Sequence, residues 1–227
     1  MLTVDRMDAV VFDIDGTLGD TAAQMALGIK NAFLRLGLEY PTVEQVRLYV
    51  GNGADLLVAR SILRNAGTTL EDVEPDMFAA AKEAYIKEYA KVIHRDFNLY
   101  DGVEETLQKL KDAGFKLAVA TNKPHEFVMP WLEASGLAKF FDYAIGGGVL
   151  AERKPHPMML LKVCEELGVR PERTCMVGDS VNDVQCAQNA GALSVGLTYG
   201  YNRGVPIKNS NPDFVLNSFR ELSLVLI

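Results

Sequence analysis

The run Val10-Val11-Phe12-Asp13-Ile14-Asp15-Gly16-Thr17-Leu18 decides the fold class of this chain. An apolar stretch ends in two carboxylates that are followed by glycine and threonine, which predicts a buried strand with Asp13 and Asp15 at its C-terminal end. Open α/β sheets bind their ligands at the carboxyl ends of the strands. Two carboxylates so close together repel each other unless a cation or a shared proton relieves them. The run therefore predicts a site that contains a metal ion, a proton donor or both.

Amphipathic helices follow the first strand and separate it from the rest of the sheet. From residue 22 onward, apolar residues recur at steps of three and four, and Gly37 ends that helix. Further helical patterns cover residues 43–49, 54–65 and 76–92, and no convincing strand pattern precedes Leu99. We therefore predict an all-helical cap domain at residues 19–98, inserted into a core made of residues 1–18 and 99–227.

Strands and helices alternate after Tyr100. Short apolar runs predict five further strands, at residues 116–120, 143–145, 174–177, 193–196 and 213–216. Pro124 suits the first turn of the helix that follows the first of these strands. Two later helices are predicted at residues 157–167 and 181–190, and Gly168 and Gly191 end them. Strands that alternate with helices of this length form a parallel sheet with right-handed crossovers. The sequence thus predicts an α/β fold with a parallel sheet core and an inserted helical cap.

Four predicted strand ends carry polar residues that complement one another. They are Asp13 with Asp15, Thr121, the loop that holds Lys154, and Asp179 with Asp183. In a parallel sheet these ends lie at one edge, where the side chains can converge. Carboxylates are ligands that Mg²⁺ prefers, while a hydroxyl and an ammonium group can hold the oxygens of a phosphate. A free aspartate can then attack phosphorus, and a second one can protonate the leaving oxygen and activate water.

Four segments carry a resemblance to a known family. Asp13-Ile-Asp-Gly-Thr, Thr121-Asn-Lys-Pro, Lys154-Pro-His-Pro and Gly178-Asp-Ser-Val-Asn-Asp183 resemble the four motifs of the haloacid dehalogenase superfamily. The order of the motifs and the helical block after the first one also fit that family, and the resemblance covers nearly the whole chain. It implies a Rossmann-like α/β core with an all-helical cap domain, and a hydrolase that depends on Mg²⁺.

The resemblance also implies roles for individual residues. Asp13 would be the nucleophile and a metal ligand, and Asp15 would be the general acid and base whose backbone carbonyl binds the metal. Asp179 would complete the metal site, with Asp183 as a further ligand or as its support. Three residues would bind the transferring phosphoryl group: Thr121, Lys154 and, through a hydrogen bond, Asn122.

A narrower resemblance concerns the substrate. Three segments are similar to those of bacterial phosphatases that act on 2-phosphoglycolate: Gly51-Asn-Gly-Ala-Asp55, Thr121-Asn-Lys-Pro with Phe127-Val128, and Ser194-Val-Gly-Leu-Thr-Tyr-Gly-Tyr-Asn202. This similarity implies hydrolysis of 2-phosphoglycolate to glycolate and phosphate through an aspartyl-phosphate intermediate. A cap loop at Gly51, Asn52 and Gly53 would then reach the end of the substrate that carries no phosphate.

Several candidate residues also have a simpler structural interpretation. Asp183 and Thr121 can cap the helices that follow them without binding any ligand. Lys154 can be an ordinary solvated lysine on a loop. The turn at residues 51–53 can be a plain connection within the helical block.

Two other functions are compatible with these motifs. A phosphatase or mutase for another small phosphorylated metabolite, such as a phosphosugar, would keep the fold and differ in the cap. A phospho-accepting signalling module of the receiver type also uses an acidic Mg²⁺ site, a phosphorylated aspartate, a threonine and a lysine. Against such a module, the candidate acceptor Asp13 ends the first strand, and a helical block interrupts the sheet.

Composition limits the partners of the chain. Its net charge of −7 argues against salt-driven binding to nucleic acid or to an anionic membrane. The N-terminal residues carry charge without a long apolar run, so we expect no signal peptide, and no stretch approaches the ~20 apolar residues of a membrane span. Three cysteines without Cys-x-x-Cys spacing indicate reduced thiols and a cytoplasmic protein. We expect a monomer or a homodimer that binds a small phosphorylated metabolite.

Overall fold

The computed structural model describes residues 7–95 and 98–227. Within these residues, six strands form one sheet in the order β3-β2-β1-β4-β5-β6, and every neighbouring pair is parallel. The strands are β1 Ala9–Phe12, β2 Lys116–Pro124, β3 Tyr143–Gly147, β4 Thr174–Gly178, β5 Leu193–Leu197 and β6 Phe214–Leu216. Each strand that the sequence predicted is present, and the predicted α/β class is confirmed.

Helices connect the strands at the predicted places. Within the described residues they are α1 Ala22–Leu36, α2 Val43–Tyr49, α3 Ala54–Leu63, α4 Pro75–Val92, α5 Val103–Asp112, α6 Val128–Ala134, α7 Met158–Leu167, α8 Val181–Ala190 and α9 Leu222–Leu226. Gly37, Gly168 and Gly191 adopt left-handed backbone conformations at the ends of α1, α7 and α8. These are the positions at which the sequence predicted the three helices to end.

Strand β1 lies in the middle of the sheet, and all four of its residues are fully buried because helices cover both faces. Its side chains alternate between the faces. Val10 and Phe12 join the apolar core on one face, while Ala9 and Val11 join apolar residues of α7 and α8 on the other. This burial explains why β1 is a continuous apolar run.

The register of the sheet aligns the carboxyl ends of its central strands. Phe12, at the end of β1, lies beside Val119 of β2 on one side and Val177 of β4 on the other. The backbone N–H of Asp13 donates to the carbonyl of Val177 at 3.1 Å, so the pairing between β1 and β4 extends to Asp13. Asp13 therefore lies at the centre of the edge where open α/β sheets bind ligands.

Helices α1 to α4 lie between β1 and α5, and α1 packs along α4. The two connections to this segment run side by side: the N–H of Asp20 donates to the carbonyl of Asn98 at 2.8 Å, and the N–H of Tyr100 donates to the carbonyl of Leu18 at 3.2 Å. We therefore propose that the segment is the cap domain, with the boundaries 18/19 and 98/99 that the sequence predicts. Residues 1–6 of the predicted core and 96–97 of the predicted cap lie outside the described residues.

Several predicted boundaries are wrong, and two of them concern β2 and α3. Strand β2 continues through Pro124, where the sequence predicted a helix to begin, and a 3₁₀ turn at His125–Phe127 precedes α6. Pro124 has φ −52° and ψ 133°, because the fixed φ of proline suits the end of a strand as well as a first helical turn. Helix α3 ends at Leu63 rather than at residue 65, because Arg64 adopts a left-handed conformation with φ 52°.

The described residues contain no helix that is long and apolar enough to cross a membrane. Cys164, Cys175 and Cys186 are buried, and none of them forms a disulfide bond. Each is therefore a small residue of the interior.

Candidate active site

The sheet brings together residues from four separate parts of the chain. Asp13 follows β1, Thr121 lies within β2, Asp179 follows β4, and Lys154 lies on the loop between β3 and α7. All four side chains are buried. Because β2 and β4 flank β1, the residues at these strand ends meet at one edge of the sheet.

Three aspartates form an acidic cluster at this edge. Carboxylate oxygens of Asp13, Asp179 and Asp183 all lie within 4.8 Å of one another. The Nζ atom of Lys154 lies 3.2 Å from Asp13 Oδ1 and 2.6 Å from Asp183 Oδ1. One ammonium group thus pairs with two of the three carboxylates, which leaves the fully ionised cluster with an excess of negative charge. A divalent cation would balance that excess.

Burial and mutual repulsion oppose ionisation of the acidic cluster. Burial raises the pKa of Asp13 to about 6; Lys154 opposes this rise, and the charges of Asp183 and Asp15 add to it. Burial also raises the pKa of Asp179 well above its usual value, with Asp183 and Asp13 acting in the same direction. For Lys154 burial lowers the pKa, but the charges of Asp13 and Asp183 outweigh burial and raise it. A cation among these oxygens would favour their ionised forms.

Two donors that the sequence analysis missed hold Asp179 in place. The hydroxyl of Thr17 donates to Asp179 Oδ1 at 2.6 Å, and the backbone N–H of Tyr201 donates to Oδ2 at 2.6 Å. A carboxylate oxygen has two lone pairs, so these bonds still leave Asp179 able to bind a cation. Thr17 lies in the first motif and could have been suspected from it. Tyr201 lies in the segment that ends at Asn202, which the sequence analysis noted, but only the fold shows that its backbone N–H reaches Asp179.

Gly16 permits the close approach of the first loop to Asp179. It has φ +92°, and a Cβ atom there would lie 2.3 Å from Asp179 Oδ2.

We expect Gly16→Ala to lower the free energy of unfolding, measured by urea denaturation, by at least about 3 kcal/mol, because it strains the backbone and displaces Asp179. Gly114→Ala is the matched control, because Gly114 has φ +90° with no atom within 4 Å of the added Cβ. It should lose only about 1–2 kcal/mol, and equal losses would contradict the contact argument.

Asp15 turns its carboxylate away from the acidic cluster. Its Oδ1 accepts a hydrogen bond from the hydroxyl of Thr21 at 2.7 Å and forms an ion pair with Lys123 Nζ at 2.9 Å. Within the residues that the structure describes, the carboxylate of Asp15 is not part of the acidic cluster. Asp13 and Asp15 are only two positions apart, yet one faces the cluster and the other faces Lys123. Lys123 is a site residue that the sequence analysis did not single out.

Thr121 lies within β2 and on the wall of the cavity described below. Its hydroxyl accepts a hydrogen bond from the N–H of Lys123 at 3.2 Å, and the next α-helix begins only at Val128. The alternative interpretation of Thr121 as a helix cap is therefore wrong. Its hydroxyl lies on the same cavity wall as Asp13.

Asn122 uses its amide group to join Lys154 to the cap. Its Nδ2 donates to the carbonyl of Lys154 at 3.0 Å and to that of Gly51 at 2.9 Å, and its Oδ1 accepts from the N–H of Lys154 at 3.0 Å. The amide that we expected to bind phosphate is thus engaged with backbone groups. We propose that Asn122 supports phosphate binding by positioning Lys154.

Asp183 caps α8 and also belongs to the acidic cluster. Its Oδ2 accepts from the N–H and the hydroxyl of Ser180 at 3.0 and 2.7 Å, which forms a capping box. The same geometry directs its Oδ1 to Lys154. Lys154 itself is only 3% exposed, so its interpretation as a solvated loop lysine is wrong.

The loop at residues 51–53 is fastened to the core. The carbonyl of Gly51 accepts hydrogen bonds from Asn122 Nδ2 and from Asn182 Nδ2, both at 2.9 Å. Gly51 and Gly53 line the cavity, whereas Asn52 accepts a hydrogen bond from Arg60 at 3.2 Å and is not among the lining residues. Two of the three predicted loop residues therefore reach the site.

A cavity opens beside Asp13 and Asp15. The core lines it with polar residues of β2, and the cap contributes a mostly apolar wall: Met25, Val50, Ala54, Leu57, Tyr85 and Tyr89. Sites for small ligands are typically lined by apolar and aromatic side chains with a few polar groups, so this lining suits a small metabolite. Among the lining residues that the structure describes, Lys123 is the only cation.

Carboxylates gathered around a lysine at the ligand-binding edge of a parallel sheet define an α/β enzyme with a carboxylate-based site. The family model of the haloacid dehalogenase-like hydrolases matches residues 10–197. The chain belongs to this family of hydrolases.

Individual relatives resemble the chain over its whole length. A phosphoglycolate phosphatase of Vibrio parahaemolyticus is 43% identical over 221 residues, which cover 97% of this chain and 96% of the relative. The crystal structure of a predicted phosphoglycolate phosphatase from Haemophilus somnus has a TM-score of 0.90 at 35% identity and full coverage of both chains. A variant of CbbY from Rhodobacter sphaeroides, crystallised with xylulose-(1,5)bisphosphate, has a TM-score of 0.78 at 27% identity and covers 95% of this chain and 96% of its own.

Proposed function

We propose that this hydrolase is a Mg²⁺-dependent phosphatase that converts 2-phosphoglycolate to glycolate and phosphate through an aspartyl-phosphate intermediate. The observation that carries the proposal is the position of Asp13, which lies in the acidic cluster, beside Lys154, and on the wall of a cavity suited to a small metabolite. The identity of 43% to the Vibrio parahaemolyticus phosphoglycolate phosphatase supports the choice of substrate.

The acidic cluster fits a hard divalent cation. Asp13 Oδ1 is buried and, within the described part of the chain, accepts no hydrogen bond, although Lys154 Nζ lies 3.2 Å away. A buried acceptor oxygen that receives no hydrogen bond can bind a further ligand such as a cation. We propose that Asp13, Asp179 and the backbone carbonyl of Asp15 hold Mg²⁺, with Asp183 as a further ligand or a support. When bound, Mg²⁺ neutralises the negative charge of the phosphoryl oxygens.

Asp13 and Asp15 divide the first chemical step between them. A carboxylate oxygen of Asp13 attacks phosphorus, and the bond between phosphorus and the leaving oxygen breaks. Asp15 donates a proton to that oxygen, so that glycolate leaves with its hydroxyl group formed. Thr121 and Lys154 bind the oxygens of the phosphoryl group, which is transferred to Asp13.

Water replaces glycolate in the second step. Asp15 accepts a proton from water while the water oxygen bonds to phosphorus and the bond from phosphorus to Asp13 breaks. Asp13 returns to its carboxylate form, and Asp15 is again protonated. The position of Asp15 supports this role, because Asp15 lines the cavity while its carboxylate lies outside the acidic cluster. The cap keeps bulk water away during the first step.

A phosphosugar is the second candidate substrate, because the CbbY variant was crystallised with xylulose-(1,5)bisphosphate. The mostly apolar cap wall of this cavity provides few partners for sugar hydroxyls, which favours the smaller acid. A receiver-type signalling module is disfavoured because the chain belongs to a hydrolase family.

We also propose that the enzyme acts in the cytoplasm, as a monomer or a homodimer, without nucleic acid or membrane as partner. The three buried thiols outside any disulfide bond and the net charge of −7 support this assignment.

A phosphate-release assay with a panel of small phosphate monoesters tests the proposed function. We expect kcat/KM for 2-phosphoglycolate to exceed that for xylulose 1,5-bisphosphate and glucose 6-phosphate by at least about 100-fold. The Asp13→Asn protein, purified in the same way, controls for contaminating phosphatases. A preference for either phosphosugar would reject 2-phosphoglycolate, and a stable aspartyl-phosphate without turnover would indicate a signalling module.

A further inference from the structure

The cavity contains a cation to which the mechanism above gives no role. Lys123 is only 4% exposed, and its Nζ lies 2.9 Å from Asp15 Oδ1 and 2.6 Å from the hydroxyl oxygen of Tyr89. Among the described residues that line the cavity, it is the only cation. Lys154, the other ammonium group of the site, lies among the carboxylates of the acidic cluster. Lys123 can therefore bind a part of the substrate other than its phosphate.

The contact with Asp15 determines which part of the substrate Lys123 meets. In the proposed mechanism Asp15 protonates the leaving oxygen, so its carboxylate lies beside the bond that breaks. In 2-phosphoglycolate the carboxylate is attached to the carbon that bears this oxygen. An ammonium group 2.9 Å from Asp15 is therefore placed for a carboxylate one carbon beyond the leaving oxygen.

Tyr89 offers a second donor at the same place. Its oxygen accepts from Lys123, which leaves the phenolic hydrogen for an acceptor in the cavity. Burial raises the pKa of Tyr89, so the hydroxyl keeps this hydrogen. Tyr85 stacks on the ring with centroids 5.4 Å apart, and Phe127 meets it edge-on at 4.9 Å, which fixes the direction of the hydroxyl group.

We propose that Lys123, together with the hydroxyl of Tyr89, binds the substrate carboxylate and selects phosphate esters of 2-hydroxy acids. This inference rests on the proposed function and identifies the residues that set its substrate class. The cap wall around these two groups is mostly apolar, so an ester without the carboxylate leaves the buried donors without their partner. Sites with buried polar groups reject analogues that lack the matching group for this reason.

Two matched substrates separate carboxylate binding from a structural role. 2-Hydroxyethyl phosphate has the leaving oxygen and the chain length of 2-phosphoglycolate but carries a hydroxymethyl group in place of the carboxylate. We expect Lys123→Met to lower the ratio of kcat/KM for 2-phosphoglycolate to that for 2-hydroxyethyl phosphate by about 100-fold. Any effect of the substitution on Asp15 or on folding changes kcat/KM for both esters and therefore cancels in the ratio.

Further variants cover the case in which Lys123→Met does not fold. Lys123→Arg retains the charge and should keep the ratio within about 10-fold of the wild type. Tyr89→Phe retains the ring and should lower the ratio by about 5-fold, as expected for one lost hydrogen bond. Lys139→Met is the matched control, because this exposed lysine pairs only with Glu104 among the charged groups of the described structure, and it should leave the ratio unchanged.

The outcomes distinguish this inference from the proposed function. A ratio that stays unchanged in Lys123→Met or, if that variant does not fold, in Tyr89→Phe would overturn the joint carboxylate site of Lys123 and Tyr89 and leave the phosphatase assignment intact. A wild-type enzyme with equal kcat/KM for both esters would overturn selection by the carboxylate. A wild-type enzyme that hydrolyses neither ester would overturn the proposed function and this inference with it.

Discussion

Replacing Asp13 with asparagine is expected to lower the rate of phosphate release from 2-phosphoglycolate by at least about 10⁴-fold, because an amide does not form the aspartyl-phosphate. The amide has nearly the size of the carboxylate, so the circular dichroism spectrum should remain that of the wild type. Asp112→Asn is the matched control: this exposed carboxylate on α5 contacts Gln108 and belongs neither to the acidic cluster nor to the cavity lining among the described residues, so its loss should leave turnover unchanged. Near-normal turnover in Asp13→Asn would remove Asp13 as the nucleophile.

The same substitution should preserve or increase the stability of the metal-free protein. Burial raises the pKa of Asp13 to about 6 from its ordinary value of 3.8, so the ionised form is disfavoured in the folded state. This penalty is fully present above about pH 6 and fades as the pH falls towards 3.8. Urea unfolding should therefore show a larger advantage of Asp13→Asn over the wild type at pH 7.5 than at pH 5. A clear loss of stability at pH 7.5 would contradict this cost of burial.

Removal of divalent metal ions is expected to abolish phosphate release, and addition of Mg²⁺ is expected to restore it. The reason is the excess negative charge of Asp13, Asp179 and Asp183 over Lys154, which repels a phosphate dianion unless a cation neutralises it. The measurement is the rate of 2-phosphoglycolate hydrolysis after dialysis against EDTA, and again after addition of MgCl₂. Undiminished activity in excess chelator would reject the metal-dependent mechanism.

Binding of Mg²⁺ also has a readout that needs no turnover. A ligand at 100 times its Kd stabilises the folded state by about 2.7 kcal/mol, which raises the Tm of a chain of this size by about 5–10 °C. Asp179→Asn should lose this shift because it removes a charged oxygen from the acidic cluster, whereas Asp112→Asn should retain it. A shift that survives Asp179→Asn would place the ion elsewhere in the protein.

Most helices and strands were predictable because apolar residues recur with different periods in the two structures. The strand at Ala9–Phe12 and the helices that end before Gly37, Gly168 and Gly191 are where local patterns predict them. The end of β2 was not predictable in this way, because asparagine, lysine and proline at 122–124 are depleted in strands. Pro124 pairs with Gly147 of β3 after a register shift, and such pairing is not a local property of the sequence.

Because the sequence predicted that β2 ends at residue 120, the sequence analysis did not single out Lys123. The register between β2 and β3 shifts between Ala120 and Pro124, so regular strand alternation does not give the direction of Lys123. In the structure, Thr121 and Lys123 both line the cavity. With β2 ending at residue 120, as the sequence pattern indicated, Lys123 was a loop residue with no defined direction.

The sequence by itself determined the α/β class, the order of the strands and helices, and the acids at the strand ends, because periodicity and motif spacing are local properties of the chain. Only the tertiary structure decided how the charges pair: Lys154 with Asp13 and Asp183, and Lys123 with Asp15. These pairs depend on distances across neighbouring strands and on burial, which also shifts the pKa of Asp13. Local spacing contains neither quantity, so it identified the site without showing that Asp13 faces the acidic cluster and that Asp15 faces Lys123.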